Sequence, residues 1–116
     1  MKKRERIFHM LDGRCFYCGC KLDIKNFHLD YFKAKVKGGN RENNLVPACP
    51  DCNLFKSDLD IEEFRSKIAS LPVSSYNGRM VKKYFDVHDA NPVVFYYEQR
   101  IASNSQLRIN HMNQVI

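Results

Sequence analysis

Four cysteines form two pairs with the same spacing, Cys15 with Cys18 and Cys49 with Cys52. Two such Cys-x-x-Cys segments can supply four thiolates to one Zn²⁺, and a tetrahedral site made only of sulfur is structural because it has no open position for water. The fifth cysteine, Cys20, is expected to be a spare thiol beside the zinc, with replacement of Cys18 as ligand the alternative. The spacing therefore predicts a structural zinc site, and any catalytic chemistry must come from the residues that this site holds in place.

The segment between the two pairs contains a short run, 27–32, with the order Phe-His-Leu-Asp-Tyr-Phe. Its aromatic and branched residues favour a strand, and the period of two places His28 and Asp30 on the same face. Tyr31 then points to the opposite face unless the strand ends there. An imidazole and a carboxylate on one strand face are groups that can move a proton or bind a metal ion.

The residues that follow predict a second strand and a helix. Residues 37–40, with the order Lys-Gly-Gly-Asn, are a strong turn signal, and residues 44–46 form a short extended piece. Pro50 suits the first turn of a helix, where its missing N–H is not needed. Such a helix would carry Asn53 and Lys56 over its first two turns, which completes a strand–strand–helix unit.

The flanking segments predict helices and one strand around this unit. Residues 3–11 have the apolar spacing of a short amphipathic helix, and a second helix begins at Asp60, which has a glutamate three residues later in the capping-box position. Farther along, residues 80–85 favour a helix and residues 93–97 a strand, whose Val-Val-Phe-Tyr-Tyr order indicates core packing rather than base stacking. The expected fold class is α+β, in one domain over 1–116, with a core at 13–58 and a strand-containing extension at 59–116.

Positive charge is concentrated in the amino-terminal part of the chain. Residues 1–41 carry eleven Lys and Arg against four Asp and Glu, whereas residues 42–116 carry eight against nine. Nucleic acid is the natural partner because Lys and Arg on phosphates supply the sequence-independent part of its binding, and an ordinary solvated surface is the alternative. The candidates for phosphate contacts are Arg14, Lys33, Lys35, Lys37 and Lys56.

The hydrophobic stretches are too short for a secretory signal or a membrane span. We therefore expect a soluble cytoplasmic protein with no membrane partner.

Taken in order, these features resemble the HNH endonucleases, whose ββα-metal motif is often clamped by two zinc knuckles. A bare zinc ribbon has no need for this combination of residues in this order. The matching elements are the two cysteine pairs, the strand with Asp30, Gly-Gly at 38–39, Asn-Leu-Val at 44–46 and Cys-Asn-x-x-Lys at 52–56.

The resemblance implies that Asp30 and Asn53 bind one catalytic Mg²⁺ or Mn²⁺ through hard oxygen ligands. Asn44 matches the middle Asn of the motif, whose side chain would tie the two strands together and orient the base, although a turn-capping Asn is the alternative. The implied activity is hydrolysis of phosphodiester bonds in DNA, in restriction or other anti-phage defence or in mobile-element DNA processing. A homodimer or a separate specificity subunit would supply site selection.

The chain departs from the family pattern at Tyr31, where the family has the His that removes a proton from the attacking water. A tyrosine hydroxyl ordinarily titrates near pH ~10, so it is a poorer base at neutral pH than an imidazole. Three accounts follow: Tyr31 is a substitute base, His28 supplies the base or a further metal ligand, or catalysis is lost. The last account leads to the alternative function, a zinc module that keeps the HNH scaffold to bind nucleic acid or a protein partner.

Overall fold

A computed structural model describes residues 2–33, 44–71 and 93–102 of the 116-residue chain. The fold class is α+β as expected, with short helices around a small antiparallel sheet. The turn expected at 37–40 and the helix expected at 80–85 lie outside the described residues. The described elements, in chain order, are α1 (Lys3–Phe8) with a 3₁₀ turn (His9–Leu11), β1 (His28–Tyr31), β2 (Leu45–Ala48), α2 (Pro50–Lys56), α3 (Ile61–Ala69) and α4 (Tyr96–Ala102).

The strands β1 and β2 pair antiparallel, with His28 opposite Ala48 and Tyr31 opposite Leu45. The second strand runs through Pro47 and so is longer than the predicted extended piece at 44–46. Proline is compatible with β2 because, in the described sheet, this strand pairs only with β1. The N–H that Pro47 lacks would lie on the other edge of β2, where the described sheet has no strand to accept a hydrogen bond. The Pro47 carbonyl accepts a 2.8 Å bond from the Phe16 N–H, which joins the first cysteine pair to the hairpin.

The loop of the first cysteine pair is a tight turn closed by backbone bonds. The Cys15 N–H donates to the Cys20 carbonyl over 2.8 Å, and the Gly19 N–H donates to the Cys15 carbonyl over 3.0 Å. Gly19 has a φ of +81°, and a Cβ there would lie 2.7 Å from the Tyr96 ring. Glycine is therefore required at this position both by its backbone conformation and by the close approach of α4.

The helices after the hairpin pack their apolar faces on the same core. Cys49 caps the start of α2 because its Sγ accepts from the Cys52 N–H, and Pro50 occupies the first turn as predicted. α3 begins with the predicted capping box between Asp60 and Glu63 and buries Phe64 and Ile68.

The strand predicted at residues 93–97 is wrong. Residues 93–95 have no regular structure and Tyr96 begins α4, although the predicted burial is correct because Val93, Phe95 and Tyr97 are all buried. The Tyr96 and Tyr97 N–H groups donate to the carbonyls of Tyr17 and Phe16, and the Glu98 carboxylate accepts from the Phe95 N–H. These bonds satisfy the first N–H groups of a helix, which the run of β-favouring side chains did not indicate.

Candidate active site and cysteine cluster

The four cysteines of the two pairs converge in the structure as a single buried cluster. One Sγ atom from each of Cys15, Cys18, Cys49 and Cys52 lies within 4.8 Å of the other three, and the Cys18 and Cys49 sulfurs are 3.9 Å apart. A tetrahedral zinc with Zn–S bonds of about 2.3 Å places its sulfurs about 3.8 Å apart, so the cluster fits one zinc ion. The buried donor set is also the all-sulfur set typical of structural zinc.

Backbone N–H groups donate hydrogen bonds to sulfurs of this cluster, which favours the thiolate form. The Cys49 N–H donates to the Cys15 sulfur over 3.4 Å, and the Cys52 N–H donates to the Cys49 sulfur over 3.3 Å. The side-chain hydrogen bond with Cys15 lowers the pKa of the Cys49 thiol, whereas burial raises the pKa of Cys15. All five cysteines lie in the described part of the chain and none forms a disulfide, while Cys20 is half-buried and outside the four-sulfur set.

Asp30 is buried in β1 and is held by two side chains. Its Oδ2 accepts a short hydrogen bond from the Tyr17 hydroxyl and lies 3.1 Å from the Lys56 Nζ. Burial raises the pKa of the Asp30 carboxyl, and the Lys56 ammonium and the Tyr17 hydroxyl act in the opposite direction by favouring the ionised form. Burial likewise raises the pKa of Tyr17 well above its usual range, so this hydroxyl keeps its proton and remains a donor.

Lys56 is a core residue, with 1% of its side chain exposed. Its Nζ donates to the Tyr31 carbonyl over 2.8 Å in addition to its ion pair with Asp30. The prediction that Lys56 contacts phosphate is therefore wrong for this structure, because the ammonium is used inside the protein. Lys35 and Lys37 lie outside the described residues, whereas Arg14 and Lys33 are exposed.

Asn53 lies on α2 one turn before Lys56 and is half-buried. Residues three apart on a helix lie on neighbouring positions of one face, and Lys56 on that face reaches Asp30. α2 packs against β1, the strand that carries Asp30. The two sequence-predicted ligands therefore stand on adjacent elements of the fold, a strand and the helix that packs against it.

The two candidate bases occupy different faces of β1. His28 is exposed at the start of the strand, on the face that Asp30 shares. Tyr31 is half-buried at the end of the strand and packs against the apolar cluster of Ile7, Phe27 and Leu45. The predicted shared face of His28 and Asp30 agrees with the strand geometry, although one residue is exposed and the other buried.

Asn44 joins the end of β1 to the start of β2. Its Oδ1 accepts from the Lys33 N–H over 3.0 Å and its Nδ2 donates to the Lys33 carbonyl over 2.7 Å. Its own carbonyl accepts from the Phe32 N–H over 2.9 Å. These three bonds, made by a residue that is 5% exposed, fix the hairpin beside Asp30 and Tyr31.

The oxygens of Asp30 and Asn53 have the chemistry that a catalytic divalent ion requires. In the part of the chain that the structure describes, the Tyr17 hydroxyl and the closest contact of the Lys56 ammonium are both made to Oδ2 of Asp30 rather than to Oδ1. One carboxylate oxygen and one amide oxygen are hard ligands of the kind that Mg²⁺ and Mn²⁺ take, with the remaining positions left to water and phosphate. Asp30 and Asn53 therefore fit such an ion.

Sequence reasoning identified the carboxylate but missed its partner Tyr17. Both side-chain partners of Asp30 belong to the cysteine motifs, because Tyr17 lies inside the first pair and Lys56 ends the Cys-Asn-x-x-Lys run. What could not be read from either motif is that both side chains turn inward and meet at one carboxylate oxygen.

Part of the chain is similar in sequence to known proteins. Residues 15–59 match the family described as HNH endonuclease. Over 62 residues the chain is 36% identical to the "SPbeta prophage-derived putative HNH endonuclease YoqL" of Bacillus subtilis (strain 168). The match spans 46% of this chain and 27% of the length of that relative. Among the residues that the structure describes, no helix has the length and apolar character that crossing a membrane requires.

Proposed function

Because residues 15–59 match the family described as HNH endonuclease, we propose that this chain is a metal-dependent endonuclease that hydrolyses phosphodiester bonds in DNA. The observation that carries the proposal is the packing of α2, which carries Asn53, against β1, which carries Asp30, with the cysteine cluster at the start of the same helix. A carboxylate and an amide in this arrangement suit a hard divalent ion and a phosphate group.

In this proposal Asp30 and Asn53 hold the ion, and Tyr17 and Lys56 hold Asp30. A bound Mg²⁺ or Mn²⁺ would polarise the phosphoryl oxygen and stabilise charge on the leaving 3′ oxygen. Asn44 keeps the hairpin closed through its two side-chain bonds to the Lys33 backbone. The cysteine cluster holds a structural zinc, which fixes the first cysteine loop and the start of α2 in one position.

The proton of the attacking water goes to His28 or to Tyr31. The exposure of His28 and its place on the Asp30 face support His28, because a general base must reach the water beside the metal ligand. The motif position supports Tyr31, but its ring lies against an apolar cluster on the other strand face. We therefore propose His28 as the base and Tyr31 as the residue that closes the hydrophobic side of the strand.

A plasmid assay tests the proposed activity. Zinc-loaded chain with Mg²⁺ or Mn²⁺ is expected to nick supercoiled DNA, and Asn53→Ala is expected to reduce nicking to background. Asn53 is the better position to change than Asp30, because Asp30 is also part of the buried ion pair. The neighbouring Leu54→Ala is the control, since Leu54 is 80% exposed and the substitution removes surface on the same helix without removing a ligand.

The second candidate function is a non-catalytic zinc module that binds nucleic acid or a protein. The specific observation in its favour is that Lys56 already neutralises Asp30, so the carboxylate is stable without a divalent ion. The module predicts DNA binding that weakens with salt and does not change with Mg²⁺ or with Asn53→Ala. Absence of metal-dependent nicking in the parent chain, with such binding retained, would replace the endonuclease proposal.

The proposed setting is restriction or other anti-phage defence, or mobile-element DNA processing, in the cytoplasm. The relative from Bacillus subtilis is prophage-derived by name, which supports the mobile-element setting. Target choice by a homodimer or by a separate specificity subunit remains part of the proposal, and light scattering of the chain with and without a DNA duplex would distinguish the two.

A further inference from the structure

The proposed metal site does not by itself explain why a tyrosine, with its polar hydroxyl, is buried at position 17. Its side chain is fully buried, and its ring has edge contacts with the rings of Phe16, Phe64 and Phe95. A phenylalanine would fill the same apolar space without a polar atom to satisfy. The hydroxyl is instead directed at Oδ2 of Asp30, thirteen residues away in the chain.

The position of Tyr17 is fixed from both sides of its backbone. Phe16, beside it, donates its N–H to the Pro47 carbonyl of β2, and the Tyr17 carbonyl accepts from the Tyr96 N–H of α4. Tyr17 also lies between Cys15 and Cys18, both members of the sulfur cluster. The Tyr17 ring is therefore anchored by the cysteine loop and α4, and its hydroxyl meets Asp30 from a segment separate from the strand that carries the carboxylate.

We propose that Tyr17 is a positioning residue for the metal-binding carboxylate: its hydroxyl holds Oδ2 of Asp30 inward, which leaves Oδ1 for the divalent ion. This inference rests on the proposed function, because it assigns Asp30 to that ion. Lys56 occupies the same oxygen, so the two donors together fix the rotation of the carboxylate. Loss of a partner that orients a metal ligand typically lowers metal affinity about 10–100-fold.

The test compares two Tyr→Phe substitutions in the zinc-loaded full chain. Tyr17→Phe removes the hydroxyl that bonds to Asp30, whereas Tyr97→Phe removes the hydroxyl of another buried tyrosine, one whose ring stacks on Phe16. Binding of Mn²⁺, measured by electron paramagnetic resonance, is expected to weaken about tenfold or more in Tyr17→Phe and to stay near the parent value in Tyr97→Phe. Zinc content and circular dichroism establish that both variants are folded.

A parent-like Mn²⁺ affinity in folded Tyr17→Phe would overturn the inference. If Asn53→Ala and Asp30→Asn lose Mn²⁺ binding in the same experiment while Tyr17→Phe does not, only the role of Tyr17 fails. If neither of those variants changes Mn²⁺ binding, the proposed metal site fails and the role of Tyr17 fails with it.

A measurement on the unmodified chain covers the case in which Tyr17→Phe does not fold. The Tyr17 hydroxyl proton is expected to give an exchange-protected NMR resonance in the zinc-loaded parent, and Mg²⁺ is expected to shift it. Asp30→Asn should abolish the Mg²⁺-dependent shift. A resonance that does not respond to Mg²⁺ in a parent chain that binds the ion would overturn the inference.

Discussion

The Nζ of Lys56 lies 3.1 Å from Oδ2 of Asp30, and the two side chains are 1% and 8% exposed. The residue proposed as a metal ligand is therefore also one half of a buried ion pair. A substitution at Asp30 therefore changes both the proposed site and the core, so its free energy of unfolding is measured together with its activity.

Lys56→Met is expected to destabilise the protein by about 3–5 kcal/mol, because it leaves the Asp30 carboxylate buried without its cation. The double variant Asp30→Asn with Lys56→Met should cost less than Lys56→Met alone, since the uncompensated charge is gone. Urea unfolding of the zinc-loaded chain measures both values. Lys67→Met is the matched control, because the Lys67 Nζ also donates to a backbone carbonyl, that of Phe55 over 2.7 Å, and has no carboxylate partner among the described residues. An equal loss of stability in Lys56→Met and Lys67→Met would contradict the ion-pair account.

Cys52→Ala is expected to lose the bound zinc and much of the helical structure. The four sulfurs converge from both sides of the hairpin, and a structural zinc contributes its binding free energy directly to folding. Zinc quantification and circular dichroism are the measurements. Cys20→Ala should keep one zinc per chain, because Cys20 is outside the four-sulfur set. Loss of zinc from Cys20→Ala with retention in Cys52→Ala would reassign the ligands.

Asn44→Ala is expected to cost about 1–3 kcal/mol, the sum of two side-chain hydrogen bonds to the buried hairpin end. Both bonds go to the backbone of Lys33, so Lys33→Ala, which keeps that backbone and truncates an exposed side chain, should change stability little. Thermal unfolding at fixed zinc concentration compares the two. Equal thermal unfolding midpoints for Asn44→Ala and the parent would show that the two side-chain bonds of Asn44 contribute nothing to stability.

His28→Ala is expected to reduce metal-dependent nicking by about 10²–10⁴-fold, the usual contribution of a general base. Tyr31→Phe should keep most of the parent rate, because it retains the ring that packs against Ile7, Phe27 and Leu45. Initial rates on supercoiled plasmid at saturating Mg²⁺ provide the comparison. The opposite pattern, with a large loss in Tyr31→Phe and none in His28→Ala, would assign the base to Tyr31.

Tyr31→His adds a separate measurement at the same position. A higher rate than the parent would mean that Tyr31 acts as an impaired base, and a lower rate would mean that the site is adapted to tyrosine. An unchanged rate is the outcome that the assignment of His28 predicts.

The local elements could be predicted from the sequence because their signals are local. The spacing of the cysteines, the proline at the start of α2 and the capping box of α3 each concern residues within one turn or one loop, and each is confirmed. The helix at Tyr96–Ala102 could not be predicted in the same way. Its start is fixed by carbonyls of Phe16 and Tyr17, far away in the chain, which override the strand preference of its own residues.

By itself, the sequence determined the two cysteine pairs and the strand–strand–helix order, since ligand spacing and periodicity depend on chain-local geometry, whereas the ligand roles of Asp30 and Asn53 are implied by the family resemblance and stay predictions. Only the tertiary structure decided what Asp30 contacts. The Lys56 ammonium, which was predicted to contact phosphate, lies in the core beside Asp30, and the Tyr17 hydroxyl donates to the same carboxylate oxygen. The physical reason is desolvation. A charged side chain is stable in the interior only where the fold brings partners from distant segments into contact with it. Local sequence patterns do not encode such long-range contacts.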